Sequence, residues 1–218
     1  MRLYRFFSAE YGMCSILDRQ IRIGRIEELN DDFEFIGVAL SEKAERLALR
    51  NMRQLLSITK GVICMSKNWS SPLMWAHYAD SHKGIVLGFD VPDETFYKVY
   101  YVKKRPTLRG MGLNILGEIT LEHMKRLILT KAAGWAYEQE YRSYRALNDG
   151  VEIKGEMHYF VPFSADMKLR EVIVGSRYKG SRTEMVAAVN DPSVDVYMAR
   201  GSFEKFKMVR QRQKSMWC

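Results

Sequence analysis

Two glutamates spaced two apart, Glu138 and Glu140, with Arg142 next in the series, are the residues here whose types and spacing best suit acid–base work. In an extended chain residues i and i+2 point the same way, which would set both carboxylates on one face of one strand. Carboxylates that close do not ionise independently, and the coupled, shifted pKa values that result are what an acid/base or charge-stabilising site requires. The same spacing also describes a surface ladder in which Glu138, Glu140, Arg142 and Arg145 neutralise one another. Pattern alone leaves both readings open.

A second concentration of chemistry runs from Ser66 to Asp90, where Trp75, His77, Tyr78, Asp80, His82 and Lys83 crowd a short segment between two apolar runs. Ser71 as N-cap and Pro72 in the first turn predict a helix through Ala79, with Lys83-Gly84 as its stop. Two histidines five apart are poorly spaced for one metal on one helix face, and no metal site is expected. Cys64 precedes this helix among apolar neighbours and reads as a buried, inert thiol. Near the start, Leu3-Tyr4-Arg5-Phe6-Phe7 predicts a strand whose alternation places Arg5 on the face of Leu3 and Phe7. A guanidinium buried there needs a partner, either an internal carboxylate or an anionic ligand.

The chain has 218 residues, a formal net charge of +8 and a pI near 9.3, which favours an anionic partner without choosing among nucleic acid, dinucleotide and lipid. One basic cluster interleaves Tyr97, Tyr100 and Tyr101 with Lys98, Lys103, Lys104 and Arg105, a pattern that suits stacked bases and phosphates. Another, from Lys205 to Lys214, lies in an end segment expected to form a basic edge strand over Phe203–Val209. Three cysteines, Cys14, Cys64 and Cys218, sit far apart and read as reduced thiols of a cytoplasmic protein, without a four-cysteine zinc site. Neither a signal peptide nor a membrane span is expected.

These sites need a scaffold, and the patterns predict one. An amphipathic helix is expected over Ser41–Lys60, with Ala44, Leu47, Ala48, Met52, Leu55 and Leu56 as its buried stripe and Gly61 as its stop. A second helix is expected over Glu118–Ala133, and Phe96–Val102 reads as one strand. Asn148-Asp149-Gly150 predicts a hairpin turn, Ser181-Arg182-Thr183-Glu184 a capping box. About eight strands, mostly antiparallel, with three or four helices make an α+β fold, expected as a single domain over residues 1–218.

No phosphate-loop, dinucleotide-fold, nucleophile-elbow or zinc-protease motif is present. The pieces LYRF, LNDDFE, MSKNW, LMWAHYADSHKGIVLGFD and WAYEQEYR together resemble the bacterial domain of unknown function 2971 family, some of whose members sit in abortive phage-infection systems. The resemblance runs from Leu3 to Gly175, and Asp32 stands where the family usually has proline. The order Arg5, Ser66, Glu138-x-Glu140 is also similar to that of ADP-ribosyltransferases of the Arg–Ser–Glu kind. That resemblance implies NAD as substrate, with Arg5 on its phosphates, Ser66 steadying the nicotinamide ribose, and Trp75, His77 and Tyr78 as cofactor-binding candidates, Trp75 or Tyr78 stacking on the nicotinamide. It makes Glu140 the stabiliser of the oxocarbenium charge and Glu138 the residue that positions the acceptor, a nucleic acid or protein. A toxin of phage defence would also have an antitoxin as candidate partner. Competing with this are a non-catalytic nucleic-acid-binding module built on the Tyr97–Arg105 run, and a metal-independent nuclease using His77 with Lys83.

Overall fold

The computed structural model describes residues 1–33 and 37–217; Glu34, at the end of the acidic loop, and Cys218 lie outside the described residues. In chain order the elements are β1 (Arg2–Phe7), α1 (Ala9–Leu17), β2 (Gln20–Arg25), α2 (Lys43–Thr59), β3 (Lys60–Ser66), α3 (Pro72–Tyr78), β4 (Ile85–Asp90), β5 (Tyr97–Lys98), β6 (Tyr100–Val102), α4 (Leu121–Ile128), β7 (Thr130–Ala132), β8 (Glu140–Ala146), β9 (Val151–Ile153), β10 (Glu156–Pro162), β11 (Lys168–Val174), α5 (Arg182–Val189), β12 (Asp195–Gly201) and β13 (Met208–Arg210). The class is α+β, as expected, with more strands and one more α-helix than the patterns predict. An 11-stranded sheet runs β13-β12-β11-β4-β1-β3-β2-β10-β9, with β8 pairing β3 and β5 pairing β8; β6 and β7 form a separate pair. All pairings are antiparallel except β11–β12 and β6–β7.

Alternation along the central strands builds a core on each face. Leu3 and Phe7 of β1, Ile85, Leu87 and Phe89 of β4 and Val172 of β11 pack with Ile16 of α1 and Met185 of α5. On the other face Val86 and Ile173 pack with Tyr197 and with Trp75 and Ala79, which come from α3 and the residue after it. No helix among the described residues is long and apolar enough to cross a membrane.

The site depends on a split in this sheet. One edge of β3 pairs with β8 along its whole length, from Lys60↔Ala146 to Ser66↔Glu140. The other edge is shared: β2 pairs at Gly61 and Val62, β1 only at Ser66. Between them the ladder is interrupted, and backbone carbonyls there need another donor. Arg5 supplies it: its Nη1 donates to the Cys64 carbonyl at 3.0 Å, and Nη2 lies 3.5 Å from the Arg22 carbonyl. The side chain does lie on the face of Leu3 and Phe7, but its partners are main-chain oxygens rather than a carboxylate.

Several expectations are corrected by tertiary packing. In α2 the buried residues are Leu49 and Ser57, while Leu47 and Leu55 are 57% and 68% exposed, so the helix is rotated from its predicted stripe. Gly61 does not stop that helix but lies inside β3, where a Cβ would come within 2.5 Å of Ile23 and 2.7 Å of Leu147. The second predicted helix ends at Ile128, and Thr130–Ala132 is strand β7. The Phe96–Val102 run breaks at the buried Val99, which donates to the Glu140 carbonyl. The hairpin turn falls at Lys154-Gly155, both at positive φ, not at Asn148–Gly150. Only Met208–Arg210 of the end segment forms an edge strand. The capping box at Ser181 and Glu184 is present as expected.

Candidate functional site

A cleft of about 250 Å³ opens where β1 and β2 part, lined by Arg5, Cys64, Ser66, Tyr78, Glu138 and Glu140 among others. Residues far apart in the sequence are thus brought together. Ser66 ends β3 directly opposite Glu140, the first residue of β8. Glu138 and Glu140 do not reach the cleft as neighbours on one strand. Glu138 ends a 3-10 turn over Ala133–Glu138, and Gln139, at φ 46 and ψ 49, swings the chain into β8. Their carboxylates meet again at Lys131 Nζ, 2.6 Å from Glu138 Oε2 and 3.2 Å from Glu140 Oε2.

The two carboxylates sit in opposed environments. Arg142, fully buried, clasps Glu140 with Nε at 2.8 Å from Oε1 and Nη2 at 2.9 Å from Oε2, the bidentate geometry that gives the strongest such pairs. Burial alone would push the Glu140 carboxyl up, but Arg142, by charge and hydrogen bond, then Lys131 and the Cys64 thiol bring it down to about 2. Glu138 goes the other way. Burial pushes it above the usual carboxylate range, helped by the neighbouring Glu140 charge and opposed by Lys131. A pair of carboxyls driven apart in this manner is the arrangement by which one site holds a permanent anion beside a proton carrier.

The remaining partners fix the geometry. Tyr78 donates its hydroxyl to Glu138 Oε1 at 2.6 Å and accepts from Asn30 Nδ2 at 2.7 Å. Burial and that carboxylate push the Tyr78 phenol up, so it stays a donor. The Glu140 amide donates to the Tyr101 hydroxyl at 2.8 Å. Ser66 is 2% exposed, and its single proton lies within reach of two carbonyls, Glu138 at 2.6 Å and Asn68 at 2.9 Å. Its hydroxyl therefore ties down the turn that carries Glu138. Burial pushes Arg5 down and the Cys64 thiol well up, which keeps that thiol protonated and inert.

Other candidates fall elsewhere. Trp75 is fully buried; its Nε1 donates to the Trp69 carbonyl at 2.7 Å and its ring meets Phe6 edge-on at 5.6 Å. It is a core residue, with no exposed face left for a ligand ring. His77 is exposed and does not line the cleft; its ring lies 5.9 Å from that of Tyr137. Ser71 holds the N-cap position of α3 without a side-chain bond. Asp80, Ser81 and His82 leave the helix in three successive left-handed residues, and Gly84 then passes Phe7 so closely that a Cβ would lie 2.0 Å from its carbonyl oxygen. Lys98, Lys103, Lys104 and Arg105 are exposed, whereas Tyr101 is turned inward to Glu140 and cannot stack bases with them. Lys131 and Asn30 were not expected at the site. The first stood in a segment that reads as helix, the second in a loop that reads as structural.

Fold and site together define an α+β protein with a buried lysine-bridged carboxylate pair at a split in its sheet. Residues 74–143 match the model of the family described as "Protein of unknown function (DUF2971)", which supports the resemblance read from the sequence over that segment. The matched span carries Tyr78, Lys131, Glu138, Glu140 and Arg142, and leaves Arg5 and Ser66 outside it. Neither a curated protein nor a solved structure matches the chain.

Proposed function

We propose that the cleft binds the nicotinamide ribosyl end of NAD and transfers ADP-ribose to a nucleic acid or protein acceptor, as a toxin of phage defence would. The observation that carries this reading is the convergence of Arg5, Ser66, Glu138 and Glu140 on one cleft, with the two carboxyl pKa values pushed in opposite directions. At about 250 Å³ the cavity is just below the usual range of ligand pockets, about 300–1,000 Å³. It takes one end of the dinucleotide, and the rest lies across the open mouth, where the N–H groups of Arg5 not used on carbonyls meet phosphate.

Chemically, the bond between nicotinamide N1 and ribose C1′ breaks with its electrons going to nicotinamide. Glu140, ionised throughout, stabilises the oxocarbenium charge. The acceptor oxygen or nitrogen bonds to C1′ and its proton passes to Glu138, whose raised pKa lies closer to working pH than an ordinary carboxylate's. Ser66 acts here through the turn it anchors.

Titration of the protein with NAD, followed by nicotinamide release in the presence of RNA, DNA and protein, tests this. Saturable binding lost in Arg5→Ala and release lost in Glu140→Gln are expected. Folded protein that binds no NAD at millimolar concentration overturns it. A non-catalytic nucleic-acid module is the second reading, favoured by exposed Tyr97 and Tyr100 beside Lys98, Lys103 and Lys104. Its binding would weaken steeply with salt and ignore changes at Glu140.

A further inference from the structure

The turn between β12 and β13 displays two phenylalanines to solvent: Phe203 is 92% exposed and Phe206 is 106% exposed. Large aromatic side chains normally bury most of their surface, and two on one short turn need a reason. The turn is well built. Ser202 N–H donates to the Lys207 carbonyl at 2.9 Å, and Ser202 Oγ accepts from the amides of Glu204 and Lys205 at 3.2 and 3.3 Å. Cations surround the rings. The Arg200 guanidinium lies 4.3 Å from the Phe203 ring centre, and Lys205 and Lys207 are exposed beside Phe206.

The same sheet edge carries a second cavity of about 210 Å³, lined by Arg182, Arg210, Gln211, Arg212, Gln213 and Trp217 among others. Arg210 is paired with Asp195, while Arg182 and Arg212 are exposed. Guanidiniums and amides at that density suit phosphate oxygens and base edges. The surface is also joined to the loop that follows Ser66, because Met208 N–H donates to the Ser70 carbonyl.

We infer that this sheet edge is a binding site for single-stranded nucleic acid, with unpaired bases stacking on Phe203 and Phe206 and the backbone held by Arg200, Lys205, Lys207, Arg182 and Arg212. Aromatic rings beside a basic groove are the means by which proteins hold single strands without reading sequence. Paired bases offer no free face to these rings. A lipid surface suits the turn less well: Glu204 stands between the two rings, Arg200 covers one of them, and the arginine-lined cavity would stay without a ligand. The site is separate from the carboxylate cleft, and binding to it requires no NAD.

Fluorescence anisotropy of the full chain with a labelled twelve-nucleotide oligouridine, its DNA counterpart and a duplex of equal length tests the inference, with co-sedimentation on phosphatidylserine–phosphatidylcholine vesicles in parallel. Single strands are expected to bind in preference to duplex, with affinity falling steeply between about 50 and 200 mM salt. Phe203→Ala/Phe206→Ala should weaken binding roughly a hundredfold at fixed salt, since each lost base stack counts for about tenfold. Lys205→Ala/Lys207→Ala should flatten the salt dependence by roughly 0.7 in the log–log slope per lost contact. Lys98→Ala/Lys103→Ala/Lys104→Ala should change affinity little. All these positions are on the surface, and an unchanged melting temperature certifies each variant as folded. The inference is overturned if single strands do not bind at 50 mM salt, if the phenylalanine pair is indifferent, if the loss follows the Lys98–Lys104 cluster instead, or if the phenylalanines govern vesicle binding alone.

Discussion

Replacing Lys131 by methionine isolates the electrostatics of the site, because the two side chains have similar volume and the cavity term is small. Lys131 is 5% exposed and bridges Glu138 and Glu140 at 2.6 and 3.2 Å. Opposite charges about 3 Å apart attract by roughly 5 kcal/mol at an effective dielectric of about 20, and the desolvation of the ammonium offsets much of that. What the variant measures is the cost of stranding buried carboxylates, roughly 3–5 kcal/mol when one partner of such a pair is removed. Arg142 still clasps Glu140, so the loss falls on Glu138. Its carboxyl, already raised by burial, rises further without the lysine beside it. The sign follows. A carboxyl whose folded pKa is raised stabilises the fold below its unfolded pKa, and that contribution disappears as pH rises through the folded one. The deficit of Lys131→Met in urea unfolding should therefore be about 3–5 kcal/mol near pH 7.5. As pH falls it should shrink, by up to about 1.4 kcal/mol per unit, wherever the variant holds a proton that the wild type lacks. A deficit under about 1 kcal/mol, or one that does not change from pH 5 to 8, would refute the buried bridge.

Tyr78→Phe removes the hydroxyl between Asn30 and Glu138, and should cost about 1 kcal/mol by denaturant unfolding. Because that hydroxyl favours ionised Glu138, the acid limb of any nicotinamide-release profile should move to higher pH. Arg5→Ala leaves the Cys64 carbonyl without its donor and should cost about 1–3 kcal/mol in chemical denaturation, whether or not NAD binds. Glu140→Gln should blunt acid unfolding. With its carboxyl held at about 2 against about 4.3 in the unfolded chain, Glu140 contributes roughly 3 kcal/mol above the unfolded value that is lost as pH falls towards 2. An unchanged acid midpoint in that variant would count against the Arg142 clasp.

The strands of the central sheet were legible because their patterns are strong: Leu3–Phe7 alternates, and Ile85–Phe89 is buried on both faces. The α+β class follows from them. The rotation of α2 was not legible, since Leu47 and Leu55 offer an apolar stripe as good as the one that Leu49 anchors, and only packing chooses between them. At the site, Arg5, Tyr78, Glu138 and Glu140 stood out by residue type, whereas Trp75 misled for the same reason: a buried indole and a ligand-stacking indole look alike in sequence. Lys131 was invisible because Thr130–Ala132 continues an amphipathic helical pattern, and its role exists only once the chain turns at Leu129. The hairpin at Lys154-Gly155 lost to a stronger-looking Asn-Asp-Gly, which the structure uses merely as a connection.

What the spacing of Glu138 and Glu140 does is different from what it suggests. Two glutamates on one straight strand would share one environment, and only their mutual repulsion would split their titration. With Gln139 in the left-handed region, the first carboxyl arrives from a 3-10 turn and the second from a strand, so different neighbours reach each. Arg142, two residues on along the same strand, can then grip Glu140 alone, while Tyr78 and Asn30 approach Glu138 from α3 and the acidic loop. Lys131 contacts both carboxyls and places a positive charge between them. Arg142 holds the Glu140 carboxyl low while burial raises that of Glu138, so a proton taken up by Glu138 leaves Glu140 ionised. That asymmetry is set by the backbone at a single residue. Gln139→Gly should preserve it and Gln139→Val, whose branched side chain resists positive φ, should destroy it. Titration of the two carboxyls by carbon-13 NMR in both variants reads the difference: a widely separated pair is expected in the glycine variant, and a much narrower separation in the valine one. Two well-separated carboxyls in a folded valine variant would show that the backbone turn is not the cause.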